Sequence, residues 1–393
     1  MKLEIPGYVK DLMDLLNNSG YECYVVGGAV RSLLLGLPVH DYDLTTNALP
    51  QQMKEVFTSH KTIDTGLKHG TLTVLSQHHP IEITTYRKDS TYADHRHPDA
   101  VQFTSAIEED CARRDFTINA FCYNDSEGIK DFFHGREDID AKILRCIGDP
   151  EQRFEEDALR ILRAIRFAAQ LHFQIEPDTK KAIFQQKELL SYISTERIHE
   201  ELNGFLQADV CGEYLDTYKE VFTLFLPELN DVKDWQKMLV EVDRAGKNAN
   251  ARMAVLLSET EQPASVLKRM KYANDDLKQI CAMIKHRHTD VSDIISLRKF
   301  LSVYPYDFDQ YLMYRSAFDT SFPKEKVKDM HDCILNNHDC ISLTSLQIKG
   351  NDVTALGYRG PQIAEVLNDL LNAVMEEKVK NTKNDLTAYL RRN

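Results

Sequence analysis

Val25-Val26-Gly27-Gly28-Ala29-Val30-Arg31, followed by His40-Asp41-Tyr42-Asp43, is the stretch whose reading decides the fold. Tyr24, Val25 and Val26 favour a strand. Gly27 and Gly28 let the backbone turn and come close to a ligand. Ala29 to Leu35 suits a short helix whose N-terminus faces that turn, a setting that favours an anion such as phosphate. Asp41 and Asp43 are two apart and share one face of a strand. Such a pair is self-repelling unless a cation lies between its members, and Mg²⁺ held by carboxylates and nucleotide phosphates is the natural candidate. Alone, Gly-Gly reads as a turn and Asp-x-Asp as a solvated strand edge or a cap. Within one strand–turn–helix–strand unit, the two together point to nucleotidyl transfer. Neither the Walker pattern nor the dinucleotide fingerprint G-x-G-x-x-G is present.

A chain of 393 residues predicts two to four structural units. The ordinary proportions of apolar and charged residues predict a soluble globular protein. No apolar run approaches the roughly 20 residues that cross a membrane, and Met1 to Pro6 lacks an apolar signal core, so the expected location is cytoplasmic. Eight cysteines without a C-x-x-C pair fit buried, reduced thiols. The doublets His331-Asp332-Cys333 and His338-Asp339-Cys340 match no familiar zinc spacing. A net charge of -13 argues against indiscriminate nucleic-acid binding and leaves room for a local basic surface.

Residues 1 to about 145 mix short β-rich runs with short helices, and the remainder is predominantly helical, which predicts an α+β head followed by an all-α part. Tyr8 to Leu16 reads as a helix. Thr71 to Leu75 and Ile81 to Thr85 read as neighbouring strands, with turns at His69-Gly70 and His78-His79-Pro80. Arg87 to Pro98 is polar and reads as a functional loop. Asp157 to Phe167 has a helical period with Leu162, Ile165 and Ala169 on one face. Residues 178–190, 195–207 and 212–226 also read as helices.

Three further clusters bear chemistry. Glu82 lies between core-facing Ile81 and Ile83, either as an exposed strand residue or as a third carboxylate beside Asp41 and Asp43. Arg113-Arg114-Asp115 precedes Phe116-Thr117-Ile118-Asn119-Ala120 at the expected start of a helix. The guanidinium forks suit phosphate oxygens, and Asp115 would cap the helix or accept a ribose hydroxyl. Asp157 and Arg160 are three apart, spaced for a surface ion pair or for a fork reading a base edge.

In this order, these motifs resemble those of the class II CCA-adding enzymes, the tRNA nucleotidyltransferases related to bacterial poly(A) polymerases. The resemblance rests on Gly27 to Arg31 with Asp41-Tyr42-Asp43, on Arg113 to Ala120, and on Glu156-Asp157-Ala158-Leu159-Arg160 with Arg163-Ala164-Ile165-Arg166-Phe167. Thr195-Glu196-Arg197-Ile198-His199-Glu200-Glu201-Leu202 is the last motif. It is specific over residues 20 to 205; further on, Gly357-Tyr358-Arg359-Gly360-Pro361 resembles part of the family's tail. The resemblance implies a polymerase-β-like nucleotidyltransferase head (1–145), then an all-α neck (146–205), body (206–300) and tail (301–393).

The same resemblance implies the site. Asp41 and Asp43 would hold two Mg²⁺ ions, and Glu82 would help activate the primer hydroxyl. Gly27, Gly28 and Arg31 would contact the triphosphate. Arg114 and Asp115 would recognise the ribose. Asp157 and Arg160 would pair with cytosine or adenine, with Glu156 positioning the arginine. Arg163 and Arg166 join the nucleotide-binding set, and Glu196 and Arg197 would buttress the neck. The implied reaction adds C, C and A to tRNA lacking its 3′ CCA, without a nucleic-acid template, from CTP and ATP. Partial addition (CC only, or A only) and poly(A) synthesis share the motifs and stay open, as does the oligomeric state, a homodimer included. Residues 87 to 98 correspond to the family's flexible loop, and its presence favours full CCA addition. Ser32 stands where the family usually has aspartate. His40-Asp41 superficially resembles an HD phosphohydrolase dyad but lacks spaced partner histidines. Candidate tRNA-binding groups are Lys268-Arg269-Lys271, Lys285-His286-Arg287-His288, Lys378, Lys380, Lys383, Arg391 and Arg392, reading shape and backbone rather than sequence.

Overall fold

The strand β1 (Cys23–Val26) is buried along its whole length in the computed structural model, which describes residues 2–89 and 101–392. Its all-apolar run suits the centre of a sheet. The further strands are β2 (Asp43–Thr46), β3 (Thr62–Ile63), β4 (Thr71–Ser76), β5 (His79–Thr85), β6 (Arg87–Asp89), β7 (Val101–Phe103), β8 (Cys122–Asn124), β9 (Gly128–Lys130), β10 (Ile143–Leu144) and β11 (Gln174–Ile175). Seven of the strands form one mixed sheet in the order β3-β4-β5-β2-β1-β8-β9, and β6 pairs with β7 apart from it. β10 and β11 pair in parallel, so residues 146–205, expected to be all-α, hold one short strand. β2 and β5 run parallel, with Asp43 in register opposite Glu82. Side chains alternate as the sequence predicts. Tyr42, Leu44, Ile81 and Ile83 are buried, whereas Asp41, Asp43 and Glu82 are exposed.

Helices α1 (Gly7–Asn18), α2 (Gly28–Leu34), α3 (Pro50–Val56), α4 (Ile107–Ala112) and α5 (Gly135–Ala141) accompany the strands. Then come α6 (Pro150–Glu156), α7 (Leu159–Leu171), α8 (Pro177–Gln186) and α9 (Thr195–Leu206). Leu162, Ile165 and Ala169 of α7 are buried, as expected from their spacing. α7 packs closely on α9: a Cβ on Gly204 would lie 2.6 Å from Cδ of Arg166.

Several local expectations need correction. Arg87–Asp89 is a strand paired with β7, because its backbone finds a partner at 101–103; the rest of the expected loop, residues 90–98, lies outside the described residues. The β4–β5 turn falls at Gln77-His78, both with positive φ, and His79-Pro80 already belongs to β5. Arg113 to Asp115 follow the end of α4 rather than starting a helix; only a 3-10 turn at Thr117–Asn119 comes after them. The helix read from Asp157 breaks there. Asp157 is extended (φ −144°, ψ 100°) between α6 and α7. The run 212–226 holds two short helices, Gly212–Thr217 and Lys219–Phe222.

The chain divides into two compact units, 1–230 and 231–393. The second is helical throughout its regular structure. One of its cores gathers Leu346, Ile348, Val353, Leu370, Met375 and Leu386. Arg298 ties this region together through Asp339 (2.7 Å), Glu377 (2.8 Å) and the Met375 carbonyl (3.3 Å). All eight cysteines are free thiols, and Cys23, Cys111, Cys122, Cys146, Cys211 and Cys340 are buried. Among the described residues no helix is long and apolar enough to cross a membrane.

Candidate active site

Gly27 adopts φ 67°, ψ −131°, a conformation open to glycine and strained for residues with a Cβ. Its N–H donates to the Phe121 carbonyl (3.2 Å). A Cβ here would stand 3.2 Å from Nη1 of Arg114. One on Gly28 would stand 3.6 Å from Nη2 of Arg31. The two glycines thus make room for guanidinium groups.

At the end of β1's neighbour β2, the Asp43 carboxyl is held above its ordinary value. Desolvation is the main cause, with Glu82 and Asp41 adding to it and Arg114 opposing. A carboxylate that repels its neighbours in this way, set among hard oxygen donors, fits a divalent cation. Among the described residues no group of three or more His, Cys, Asp and Glu side chains forms a preassembled metal site. Mg²⁺ sites commonly use one or two carboxylates and complete their shell with water and substrate phosphate.

Asp115 is buried and saturated. Its Oδ1 accepts from the Phe116 N–H (2.8 Å) and the Asn119 side chain (3.0 Å). Its Oδ2 accepts from Nε (2.9 Å) and Nη2 (2.7 Å) of Arg163. Four donors fill the acceptor capacity of a carboxylate. Despite the desolvation that opposes it, Arg163 foremost brings the Asp115 carboxyl down to about 2. Asn119 in turn accepts from Arg31. Burial lowers the Arg31 guanidinium to about 10, although Asp115 works in the opposite sense.

Phe167 gathers the remaining cations. The guanidinium carbons of Arg31, Arg163 and Arg166 lie 4.9, 5.2 and 4.2 Å from its ring centroid. Such contacts contribute about 0.5–2 kcal/mol each. Arg166 is drawn towards α9 by Glu201 (2.6 Å) and also bonds Gln170 (3.2 Å).

Asp157 and Arg160 do not pair with each other through their side chains. Asp157 takes a fork from Arg197, with Nη1 to Oδ1 at 3.2 Å and Nη2 to Oδ2 at 2.9 Å. Its Oδ1 also accepts from the Leu159 N–H (3.1 Å). Arg160 donates from Nη1 to Glu156 (2.9 Å) and the Arg153 carbonyl (3.1 Å), and from Nη2 to the Arg113 carbonyl (2.9 Å). Glu156 also receives Arg153 (2.7 Å). One lone pair on Asp157 Oδ2 is left over, as are one Nη2 hydrogen and the Nε–H of Arg160.

These groups meet in a cavity of about 340 Å³ lined by Gly27, Gly28, Arg31, Asp43, Arg113, Arg114, Asp115, Asn119, Asp157, Arg160, Arg163 and Phe167. Of the residues expected from sequence, Asp41, Glu82 and Arg166 are not among its lining. Glu82 pairs in register with Asp43, Asp41 lies two residues before it and outside β2 rather than on the strand expected from sequence, and the Arg166 guanidinium lies against the Phe167 ring. Phe167 and Asn119 line the cavity without having been assigned a role, and Arg113, read with Arg114 as a phosphate-suited fork, lines it as well. The i, i+3, i+7 spacing of Arg160, Arg163 and Phe167 is the signal that places them on one helix face.

A glycine turn, a carboxylate-bearing strand and a converging set of arginines are the equipment of a nucleotidyltransferase. The family model for the poly(A) polymerase head domain matches residues 23–145. Those for the probable RNA- and SrmB-binding site of polymerase A and for the putative tRNA nucleotidyltransferase domain 2 match 172–232 and 246–390. The chain is 35% identical to a CCA-adding enzyme of Leuconostoc citreum, covering 96% of this chain and 94% of the relative. It is 33% identical to one of Streptococcus mutans, covering 97% and 96%. The structure of the Bacillus stearothermophilus CCA-adding enzyme in complex with CTP superposes with a TM-score of 0.84 at 30% identity, covering 99% and 98%. The chain belongs to the family of CCA-adding enzymes, tRNA nucleotidyltransferases with a polymerase-β-like head. Enzymes of this kind generally depend on a divalent metal.

Proposed function

We propose that this chain adds C, C and A in turn to the 3′ end of tRNA from CTP and ATP, releasing pyrophosphate. The observation that carries this reading is the single cavity that joins the glycine turn and Asp43 to Asp157 and Arg160. Arg31, Arg113 and Arg114 bring positive charge to the triphosphate beside the Gly27-Gly28 turn. Asp41 and Asp43 are the residues that would hold Mg²⁺, with Glu82 as the third carboxylate, facing the primer hydroxyl. Bound there, the cation supplies Lewis acidity at the reacting oxygens and neutralises phosphate charge.

Base selection follows from the groups left over on the neck. Asp157 Oδ2 accepts one hydrogen and Arg160 Nη2 donates one. Cytosine and adenine each present an amino hydrogen beside a ring-nitrogen acceptor, whereas uracil and guanine reverse that order. Each correct bidentate contact is worth about 1–3 kcal/mol of discrimination. Asp115, with its lone pairs occupied, favours NTP over dNTP through Arg163 and Asn119, alongside Arg114. We assign the chemistry to residues 1–145, base reading to 146–205 and tRNA binding to 206–300 and 301–393. Buried free thiols suit a reducing, cytoplasmic setting.

A primer-extension gel tests this. With Mg²⁺ and tRNA ending at the discriminator base, CTP alone should give two additions, and CTP with ATP should give C-C-A. A stop after two C with both nucleotides would mean CC addition, and a long A ladder on unrelated RNA would mean poly(A) synthesis. No extension of any primer would end the catalytic reading.

A further inference from the structure

We propose that Asp110 is a positioning residue for nucleotide binding, fixing Arg113 and Arg114 in the cavity and tying both to the strand that carries Asp43. This rests on the reading of the cavity as the nucleotide site. Asp110 has no exposed surface. Its Oδ1 accepts from Nε (3.0 Å) and Nη2 (2.8 Å) of Arg113, and its Oδ2 accepts from Nη2 of Arg114 (3.2 Å). The Arg87 N–H reaches Oδ1 at 3.3 Å, and the Thr45 hydroxyl stands 3.4 Å from Oδ2. Thr45 lies two residues from Asp43 on β2 and also donates to the Thr84 carbonyl of β5 (3.0 Å). One carboxylate therefore gathers the arginines, the strand of the metal-binding pair and the first residue of β6.

Arg114 depends on this anchor. Its Nε is buried without a hydrogen-bond partner, and its Nη1 faces the Gly27 turn. Five arginines line the cavity: Arg31, Arg113, Arg114, Arg160 and Arg163. Held at one end only, a guanidinium among like charges would swing away from them. A buried carboxylate beneath Arg113 and Arg114 opposes that movement and leaves their outer N–H groups for phosphate oxygens. Asp110 itself is not among the cavity-lining residues, so its influence passes through the arginines.

The test compares wild type with Asp110→Asn in two assays: equilibrium binding of CTP without primer, and steady-state extension of tRNA. Loss of one charged hydrogen-bonding anchor should weaken CTP binding and raise KM for CTP and ATP roughly ten- to hundredfold. Meanwhile kcat should stay within about threefold and KM for tRNA should not move. A purely structural role would lower the active fraction, and so kcat, without changing KM; that result overturns the proposal. Wild type that binds CTP more tightly than Asp110→Asn yet extends no primer would refute the transferase reading and sustain this one. If Asp110→Asn does not fold, Asp110→Asn/Arg113→Gln removes the buried charge together with one partner. Its KM for CTP should exceed that of Arg113→Gln alone, because Arg114 has lost its anchor; equal values overturn the proposal.

Discussion

Asp115 meets four donors with two oxygens, so its charge is worth more to the folded chain than a surface carboxylate's. The folded value lies at about 2, below the ordinary 3.8. The stabilisation is therefore fully present above 3.8 and is lost as pH falls from there towards about 2. The difference amounts to about 2 kcal/mol. Asp115→Asn should lower stability at pH 7 by roughly 1–3 kcal/mol, because the half-buried Arg163 loses its nearer counter-charge and keeps only Glu201 (3.5 Å). The deficit should shrink below pH 4, as chemical denaturation at a series of pH values would show; a constant deficit would refute it. Gly27 carries a different constraint. Gly27→Ala forces a side chain into the φ 67°, ψ −131° conformation and against Arg114. We expect a cost of about 1–3 kcal/mol and a raised KM for both nucleotides, read from thermal melts and extension kinetics. Unchanged kinetics would mean that Arg114 yields freely.

At the scale of elements, the proposed base reading depends on the join between α6 and α7. Continuous helix through 157 would place Asp157 on the α7 surface; the extended residue instead turns its carboxylate to Arg197 of α9. Arg197→Met should free that carboxylate and reduce the preference for CTP over UTP by about tenfold or more. Single-nucleotide extension assays with each NTP check this, and an unaltered preference would show that Asp157 is held by its backbone alone. The alternation of Tyr42, Leu44, Ile81 and Ile83 with the three carboxylates was legible because strand period and burial agree in four-residue runs. The Gly27-Gly28 turn between β1 and α2 was legible for the same local reason. The Arg197 fork and the Phe167 platform were not. The first joins residues 40 apart in the chain and the second brings Arg31 of α2 onto a ring of α7, and no local period encodes either pairing. The break at Asp157 was hidden because apolar spacing from Leu159 onward is uninterrupted.

The whole molecule carries a charge of -13, so its affinity for tRNA must come from a few cations that are not already committed. Many of the candidates are committed. Lys383 pairs with Asp352 (2.6 Å), Lys378 pairs with Glu376, and Arg287 lies 3.5 Å over the ring of Phe318. His286 packs its ring against Phe300 and Tyr304, and burial lowers its protonation. Lys268, Lys380, Arg391 and Arg392 are exposed. Each phosphate contact contributes roughly 0.7 to 0.9 to the slope of log affinity against log salt. Replacing these four with Gln should therefore weaken tRNA binding and flatten that slope by up to roughly 3 to 4. Replacing Lys378 and Lys383 should leave it nearly unchanged, since their charges are neutralised before tRNA arrives. Fluorescence titrations of labelled tRNA from 50 to 300 mM salt (roughly the range over which counterion release dominates) would separate the two sets. Equal slopes for both variants would move the tRNA-binding surface elsewhere. A fall in CTP affinity in the absence of tRNA would show that these residues act on the fold rather than on the nucleic acid.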